Sequence, residues 1–109
     1  DLVVAVNYGG RQEIVEACKT LYKEIERGEL KAEELTEERF ERALDLADLP
    51  PVDLLIRTSG EVRLSNFLLW QLAYAELYFT DCHWPDFSEK EFKAALDEFA
   101  QRERRFGGR

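Results

Sequence analysis

Apolar residues along this chain switch between two spacings, and each switch marks a change of element. Leu2-Val-Val-Ala-Val6 is an unbroken run rich in β-branched side chains, the pattern of a strand covered on both faces in a parallel sheet. Asn7-Tyr8-Gly9-Gly10 then turns the chain. From Arg11 onward, Ile14, Val15, Cys18, Leu21, Tyr22 and Ile25 recur at helical spacing, and Gly28 supplies a stop. Thr36 caps a second predicted helix that carries Phe40, Ala43 and Leu44 inward, with Glu37 and Glu38 complementing its N-terminal dipole. Pro50-Pro51 ends that segment.

Val52-Asp-Leu-Leu-Ile56 is the next predicted buried strand, closed by Arg57-Thr58-Ser59-Gly60. A helix is predicted to begin near Ser65. Its body, Asn66 to Ala75, is apolar nearly all round and should pack on several sides. Leu77-Tyr78-Phe79 reads as a third short strand. After Trp84-Pro85-Asp86-Phe87, Ser88 and Glu91 form a capping box, and Phe92, Ala95, Leu96 and Phe99 make the buried stripe of a last helix. The alternation implies an α/β fold, a mostly parallel sheet with helices on both faces.

Charge and length narrow the picture. Residues 24–48 hold ten acids against four bases, so most of the net charge of -8 lies in one stretch. A polyanion partner meets a basic face, and no basic stripe exists here, so no nucleic acid is expected. At 109 residues with 45% hydrophobic content, the chain can build one modest core, one domain or part of one. It opens on Asp1, runs straight into an apolar segment and contains no methionine, so an N-terminal portion is expected to be missing and residues 1–109 to be the C-terminal part of a single domain. The apolar stretches fall short of the roughly 20 residues that span a bilayer, and no signal-like start is present, so a soluble cytoplasmic protein is expected. Cys18 and Cys82 lack metal-ligand spacing and are too few for a disulfide scaffold, which fits free thiols in a reducing compartment.

Candidate chemistry gathers after the second predicted strand. In open parallel sheets, ligands collect beyond the carboxyl ends of the strands. Arg57 lies at such an end, followed by a small-residue loop, then Arg63, and Ser65 at a predicted helix start. Two guanidiniums, a hydroxyl and helix N–H groups suit a phosphate or diphosphate. The plainer alternative is that the arginines pair with acids such as Glu61 on the surface. Glu76 follows an apolar helix and precedes a strand, where a carboxylate is costly unless it meets a cation or a metal. Asn7 with Gly9-Gly10 could approach a ligand or simply make a tight turn. His83, without a metal-spaced partner, reads as structural or solvated, and the arginines at 102, 104 and 105 suit a helix C-terminus without any ligand.

The run Asp53-Leu-Leu-Ile-Arg-Thr-Ser-Gly-Glu-Val-Arg-Leu-Ser-Asn-Phe-Leu-Leu-Trp-Gln-Leu-Ala-Tyr-Ala-Glu-Leu-Tyr-Phe79 resembles the long signature of the cis-prenyltransferases, enzymes that lengthen isoprenoid diphosphates. Asn7-Tyr-Gly-Gly-Arg11, Trp84-Pro-Asp-Phe87 and Arg102-Glu-Arg-Arg-Phe-Gly-Gly108 resemble three further family motifs in the correct order. The resemblance covers essentially the whole chain.

That resemblance implies that Arg57, Arg63 and Ser65 bind the diphosphate of isopentenyl diphosphate and that Glu76 helps hold Mg2+. It implies that Arg105 and Gly107 belong to an Arg-x-Gly tail that reaches the neighbouring active site of a homodimer. The implied reaction is a magnesium-assisted condensation with an allylic diphosphate, farnesyl diphosphate being the expected one. The implied product is a long-chain cis-polyprenyl diphosphate such as undecaprenyl diphosphate, whose lipid chain would bring peripheral membrane contact. The family's Asp-Gly-Asn-Gly-Arg-Trp region, with its essential aspartate, is not in this chain, so no catalytic residue is assigned here and the isolated chain is expected to be inactive. Val62 stands where some relatives carry histidine or glutamine. The alternative is a non-catalytic accessory subunit, expected to have lost the arginines around Ser65; a generic phosphate-binding α/β module is a third reading.

Overall fold

A computed structural model describes residues 2–105, with side chains through residue 102. The chain divides into two units, Asp1–Pro51 with Leu64–Trp70, and Val52–Arg63 with Gln71–Arg109.

The first unit is built on helix α1, Gly10–Glu26. Gly28, at φ 77°, ends it in a Schellman arrangement. There the Gly28 N–H donates to the Ile25 carbonyl at 3.0 Å and the Glu29 N–H to the Glu24 carbonyl at 2.9 Å, which satisfies two otherwise orphan carbonyls. The buried face runs through Glu13, Ala17 and Leu21, while Val15, Cys18 and Tyr22 of the expected stripe are exposed. The buried face thus includes an acid, Glu13, which meets its hydrogen-bond donors, the Tyr8 hydroxyl and the Asp45 N–H, there. Leu30 and Leu44 complete the buried apolar residues of this unit.

Helix α2 is short, Glu37–Glu41, and starts as expected, with the Thr36 hydroxyl accepting from the Arg39 N–H at 3.2 Å. Arg39 reaches back to Glu24 of α1 in a part-buried ion pair. Phe40 packs against Trp70 with ring centroids 4.7 Å apart, and the indole N–H donates to Glu41 at 3.0 Å.

The second unit holds a parallel pair, β1 (Leu54–Arg57) and β2 (Glu76–Phe79), with Leu54 beside Glu76 and Arg57 beside Phe79. A 3-10 turn at Trp84–Asp86 leads to helix α3, Glu89–Arg105. The Ser88 carbonyl accepts from the Phe92 N–H at 3.0 Å, whereas its hydroxyl lies 3.5 Å from the Glu91 N–H, at the margin of hydrogen bonding. Ala95 is fully buried and Leu72 nearly so, but Phe92 and Leu96 of the expected stripe are exposed.

The α/β class with a parallel pair stands, the second expected helix stops at Glu41 well before Pro50-Pro51, and two expected elements do not form. Residues 2–6 make no strand, and Leu2, Val4 and Val6 are exposed. A strand exists only as a member of a ladder, and no described segment pairs with this one. The expected helix over 66–75 is a series of turns. A helix apolar all round depends on packing, yet Tyr74 remains 84% exposed. Left-handed backbone at Ser65, Asn66 and Leu68 also interrupts any helical start.

Candidate functional site

In the second unit, the loop after β1 is stitched to the loop after β2. The Thr80 N–H donates to the Arg57 carbonyl at 3.0 Å, the Gly60 N–H to the Thr80 carbonyl at 2.9 Å, and the Ser59 N–H to the Cys82 carbonyl at 2.8 Å. Glycine suits position 60: φ is 70°, and an added Cβ would lie 3.1 Å from Asp81 Oδ1. The result is a fixed platform at the carboxyl end of the parallel pair, where ligands of such sheets collect.

Arg57 folds across this loop, its guanidinium donating to the Arg63 carbonyl at 2.8 Å. Arg63 makes an exposed ion pair with Glu61 at 3.1 Å. This pair with Glu61 is the surface contact that the plainer reading of the sequence offers for Arg63. An exposed pair contributes only about 0–1 kcal/mol, so exchanging Glu61 for a phosphate oxygen costs little.

Glu76 occupies the other end of the pair. Register places it three residues from Arg57 along the strands, on the order of 10 Å at ~3.3 Å per residue. The cation that its position calls for is Arg102 of α3, with Nη1 3.6 Å from Oε2. The same Nη1 donates to the Leu77 carbonyl at 2.6 Å, and Nη2 lies 3.2 Å from Glu98. For Mg2+, Glu76 offers one hard oxygen donor, which fits an ion bound by one or two carboxylates plus substrate phosphates. Among the described residues no group of three or more His, Cys, Asp or Glu side chains is placed to enclose an ion.

Ser65 belongs to the first unit and is exposed. It begins a left-handed stretch, φ 49° at Ser65, 64° at Asn66 and 45° at Leu68. Such backbone costs roughly 1–2 kcal/mol per non-glycine residue. Asn66 receives hydrogen bonds from Gly10 and Arg11 at the start of α1. The Asn7 to Gly10 turn is therefore occupied by the chain's own residues, which favours its reading as a tight turn.

A cleft of about 490 Å3 in the same unit is lined by residues that include Val4, Val6, Tyr8, Glu13, Asp45 and Phe67. At its wall the Tyr8 hydroxyl donates to Glu13, which also accepts from the Asp45 N–H at 2.9 Å. Burial, then the hydrogen bond to Glu13 and its charge, push the Tyr8 hydroxyl well above its usual range. Tyr8 stacks edge-on against Phe67, centroids 5.7 Å apart.

Sequence reasoning missed Glu13, Asn66 and, as a partner of Glu76, Arg102. Nothing in local spacing marks Glu13 or Asn66: Tyr8 lies five positions from Glu13 with no helical register to announce it, and Asp45 and Arg11, partners of Glu13 and Asn66, lie 32 and 55 positions away. The helix-end reading of Arg102 was sound but incomplete. Arg105 is the last residue of α3, and its side chain and Gly107 lie outside the described residues. His83 serves through its backbone carbonyl, which accepts from the Asp86 N–H at 2.8 Å. No helix among the described residues is long and apolar enough to cross a membrane.

Comparison with known proteins places this arrangement. The family model described as "Putative undecaprenyl diphosphate synthase" matches residues 1–107. An isoprenyl transferase of Rhodopirellula baltica is 54% identical over 108 residues, 99% of this chain and 44% of that protein. The farnesyl-diphosphate-specific ditrans,polycis-undecaprenyl-diphosphate synthase of Escherichia coli K12 is 54% identical over 107 residues, 98% of this chain and 42% of that protein. The chain thus spans less than half the length of these curated relatives. Among solved structures, lavandulyl diphosphate synthase from Lavandula x intermedia in complex with dimethylallyl diphosphate matches with a TM-score of 0.82 and 45% identity, covering 87% of this chain and 41% of that one. A structure titled "probable undecaprenyl diphosphate synthase" from Campylobacter jejuni matches at 0.71 and 43%, covering 94% and 45%. Signature motifs, the parallel platform carrying Arg57 and this near-complete match of the family along the chain lead to one assignment: the chain belongs to the undecaprenyl diphosphate synthase family of cis-prenyltransferases.

Proposed function

We propose that this chain is the C-terminal, isopentenyl-diphosphate-binding part of a cis-prenyltransferase that condenses isopentenyl diphosphate with an allylic diphosphate, farnesyl diphosphate, to make undecaprenyl diphosphate. The observation that carries the reading is Arg57, fixed at the carboxyl end of a parallel strand with its guanidinium over the loop that leads to Arg63. Arg57 and Arg63 bind the diphosphate by charge-assisted hydrogen bonds, and the Ser65 hydroxyl donates a further one. Glu76 is the carboxylate that would hold Mg2+, whose role when bound is to neutralise charge on the departing diphosphate. The catalytic aspartate belongs to a preceding portion of a longer protein of the relatives' length, of which residues 1–109 are one part of a single domain. Arg105 and Gly107 complete the neighbouring site of a homodimer. The enzyme works in the cytoplasm and meets the membrane through its lipid product. The presence of Arg57, Arg63, Ser65 and Glu76 favours this over an accessory subunit.

The test is steady-state kinetics of Arg57→Ala and Arg63→Ala in the complete enzyme. Loss of a charge-assisted contact of about 1.5–3 kcal/mol raises the KM for isopentenyl diphosphate roughly 10- to 150-fold and leaves that for the allylic substrate nearly unchanged. Equal weakening toward both substrates contradicts the assignment.

A further inference from the structure

The first turn of α1 presents N–H groups that no helical carbonyl can satisfy. A cap normally comes from the residue just before the helix, but that residue is Gly9 and has no side chain to offer. The partner comes instead from 55 positions away in sequence. The Asn66 backbone carbonyl accepts from the Gly10 N–H at 2.6 Å, and its side-chain Oδ1 accepts from the Arg11 N–H at 2.9 Å. Gly10 makes this approach possible: an added Cβ would lie 2.8 Å from Leu69 Cγ and 3.0 Å from the Asn66 carbonyl oxygen.

Asn66 follows Ser65 directly, and both are left-handed. L-residues hold that conformation only when their surroundings over-determine it, and the short amide of asparagine is among the few side chains that tolerate it. The two bonds to α1 hold Asn66 in it.

We propose that Asn66 is a positioning residue for Ser65, clamping it to the first turn of α1 so that the serine hydroxyl meets the substrate diphosphate in one orientation. The proposal rests on the reading of Ser65 as a diphosphate ligand. Both acceptors of Asn66 are bonded to successive amides of one 17-residue helix, which ties the residue next to Ser65 to that helix. The same two amides are thereby unavailable to an anion, so the Gly9-Gly10 turn acts on the site through Asn66.

The experiment is a double-mutant cycle in the complete enzyme, with Ser65→Ala, Asn66→Leu and the pair, beside Asn66→Asp, which keeps an acceptor for the Arg11 N–H. Asn66→Leu is expected to raise the KM for isopentenyl diphosphate roughly fivefold, the scale of one lost hydrogen bond, without moving the allylic KM. The double variant should bind isopentenyl diphosphate no worse than Ser65→Ala alone, because a residue acting only through Ser65 has nothing further to lose. Asn66→Asp should restore most of the affinity. Additive losses, or equal changes toward both substrates, overturn the proposal. If Ser65→Ala leaves the KM unchanged, the reading of Ser65 falls and the clamp with it; if Ser65→Ala raises it while Asn66→Leu does not, the clamp alone falls. Should Asn66→Leu fail to fold, as judged by circular dichroism, Gly10→Ala presses a methyl on the Asn66 carbonyl and must give the same selective rise; an unchanged KM there refutes the clamp.

Discussion

In the first unit, the oxygens of Glu13 and Asn66 gather uncharged donors: the Tyr8 hydroxyl and the N–H groups of Gly10, Arg11 and Asp45. In the second, the guanidiniums of Arg57 and Arg102 reach out to the carbonyls of Arg63 and Leu77 and, for Arg102, to the acids Glu76 and Glu98. Uncharged donors on a helix's first turn cannot move independently, so the first unit fixes shape. An exposed guanidinium on a long stem, such as that of Arg63 on Glu61, can trade a carboxylate for a phosphate, so the second unit carries exchangeable charge beside the part-buried, held Arg102. One family motif is thus shared between two different physical devices, with Arg57 and Arg63 in one and Ser65 in the other.

The largest expected effect tests the rigidity of the first unit. Leu21 is 3% exposed, and Leu21→Ala should cost about 2–5 kcal/mol by urea unfolding, whereas Val15→Ala on the exposed face of the same helix should cost under about 1 kcal/mol. Comparable losses at the two positions would mean that the buried face of α1 is misassigned.

The next effect sharpens the contrast between held and exchangeable cations. Arg102→Met takes one cation from Glu76 and a donor from the Leu77 carbonyl, both part-buried, and should cost about 1–3 kcal/mol of stability. Arg63→Met, at a pair exposed on both sides, should cost about 0–1 kcal/mol. A reversed order would show that Arg102 is the exchangeable member.

Smallest is the contribution of Tyr8. Tyr8→Phe removes a donor to Glu13 and should cost about 1 kcal/mol near neutral pH. The tyrosine's folded pKa is raised, so the folded state keeps a proton that the unfolded state releases from about pH 10 upward. Stability of the parent protein should therefore fall as pH rises through that range, and the phenylalanine variant should lack this part of the slope. Parallel pH profiles of the two in urea unfolding would remove Tyr8 from the account.

Local chemistry made several features legible in the chain. Thr36 caps α2 and Gly28 ends α1 because both act on groups within a few residues of themselves. Val52 to Ile56 foretold β1 within two residues at its start. The spacing of α1 revealed a helix but misjudged its face, since an inward Glu13 reads as surface until Tyr8 and Asp45 are known to supply its donors. The Asn66 to Ala75 run misled for a related reason: its apolar composition is a statement about packing partners, and left-handed Asn66 is bonded to Gly10 and Arg11 far back in the chain.

By itself, then, the sequence determined the family, the α/β class, the start of α2 at Thr36 and the end of α1 at Gly28, all matters of residue type and short spacing. Only the tertiary structure decided which carboxylate turns inward, that Arg102 is a partner of Glu76, and that Asn66 caps a helix 55 positions away. Each of these is a meeting of buried or orphan polar groups across the fold, and such groups choose partners by proximity in space, which the order of residues along the chain does not specify.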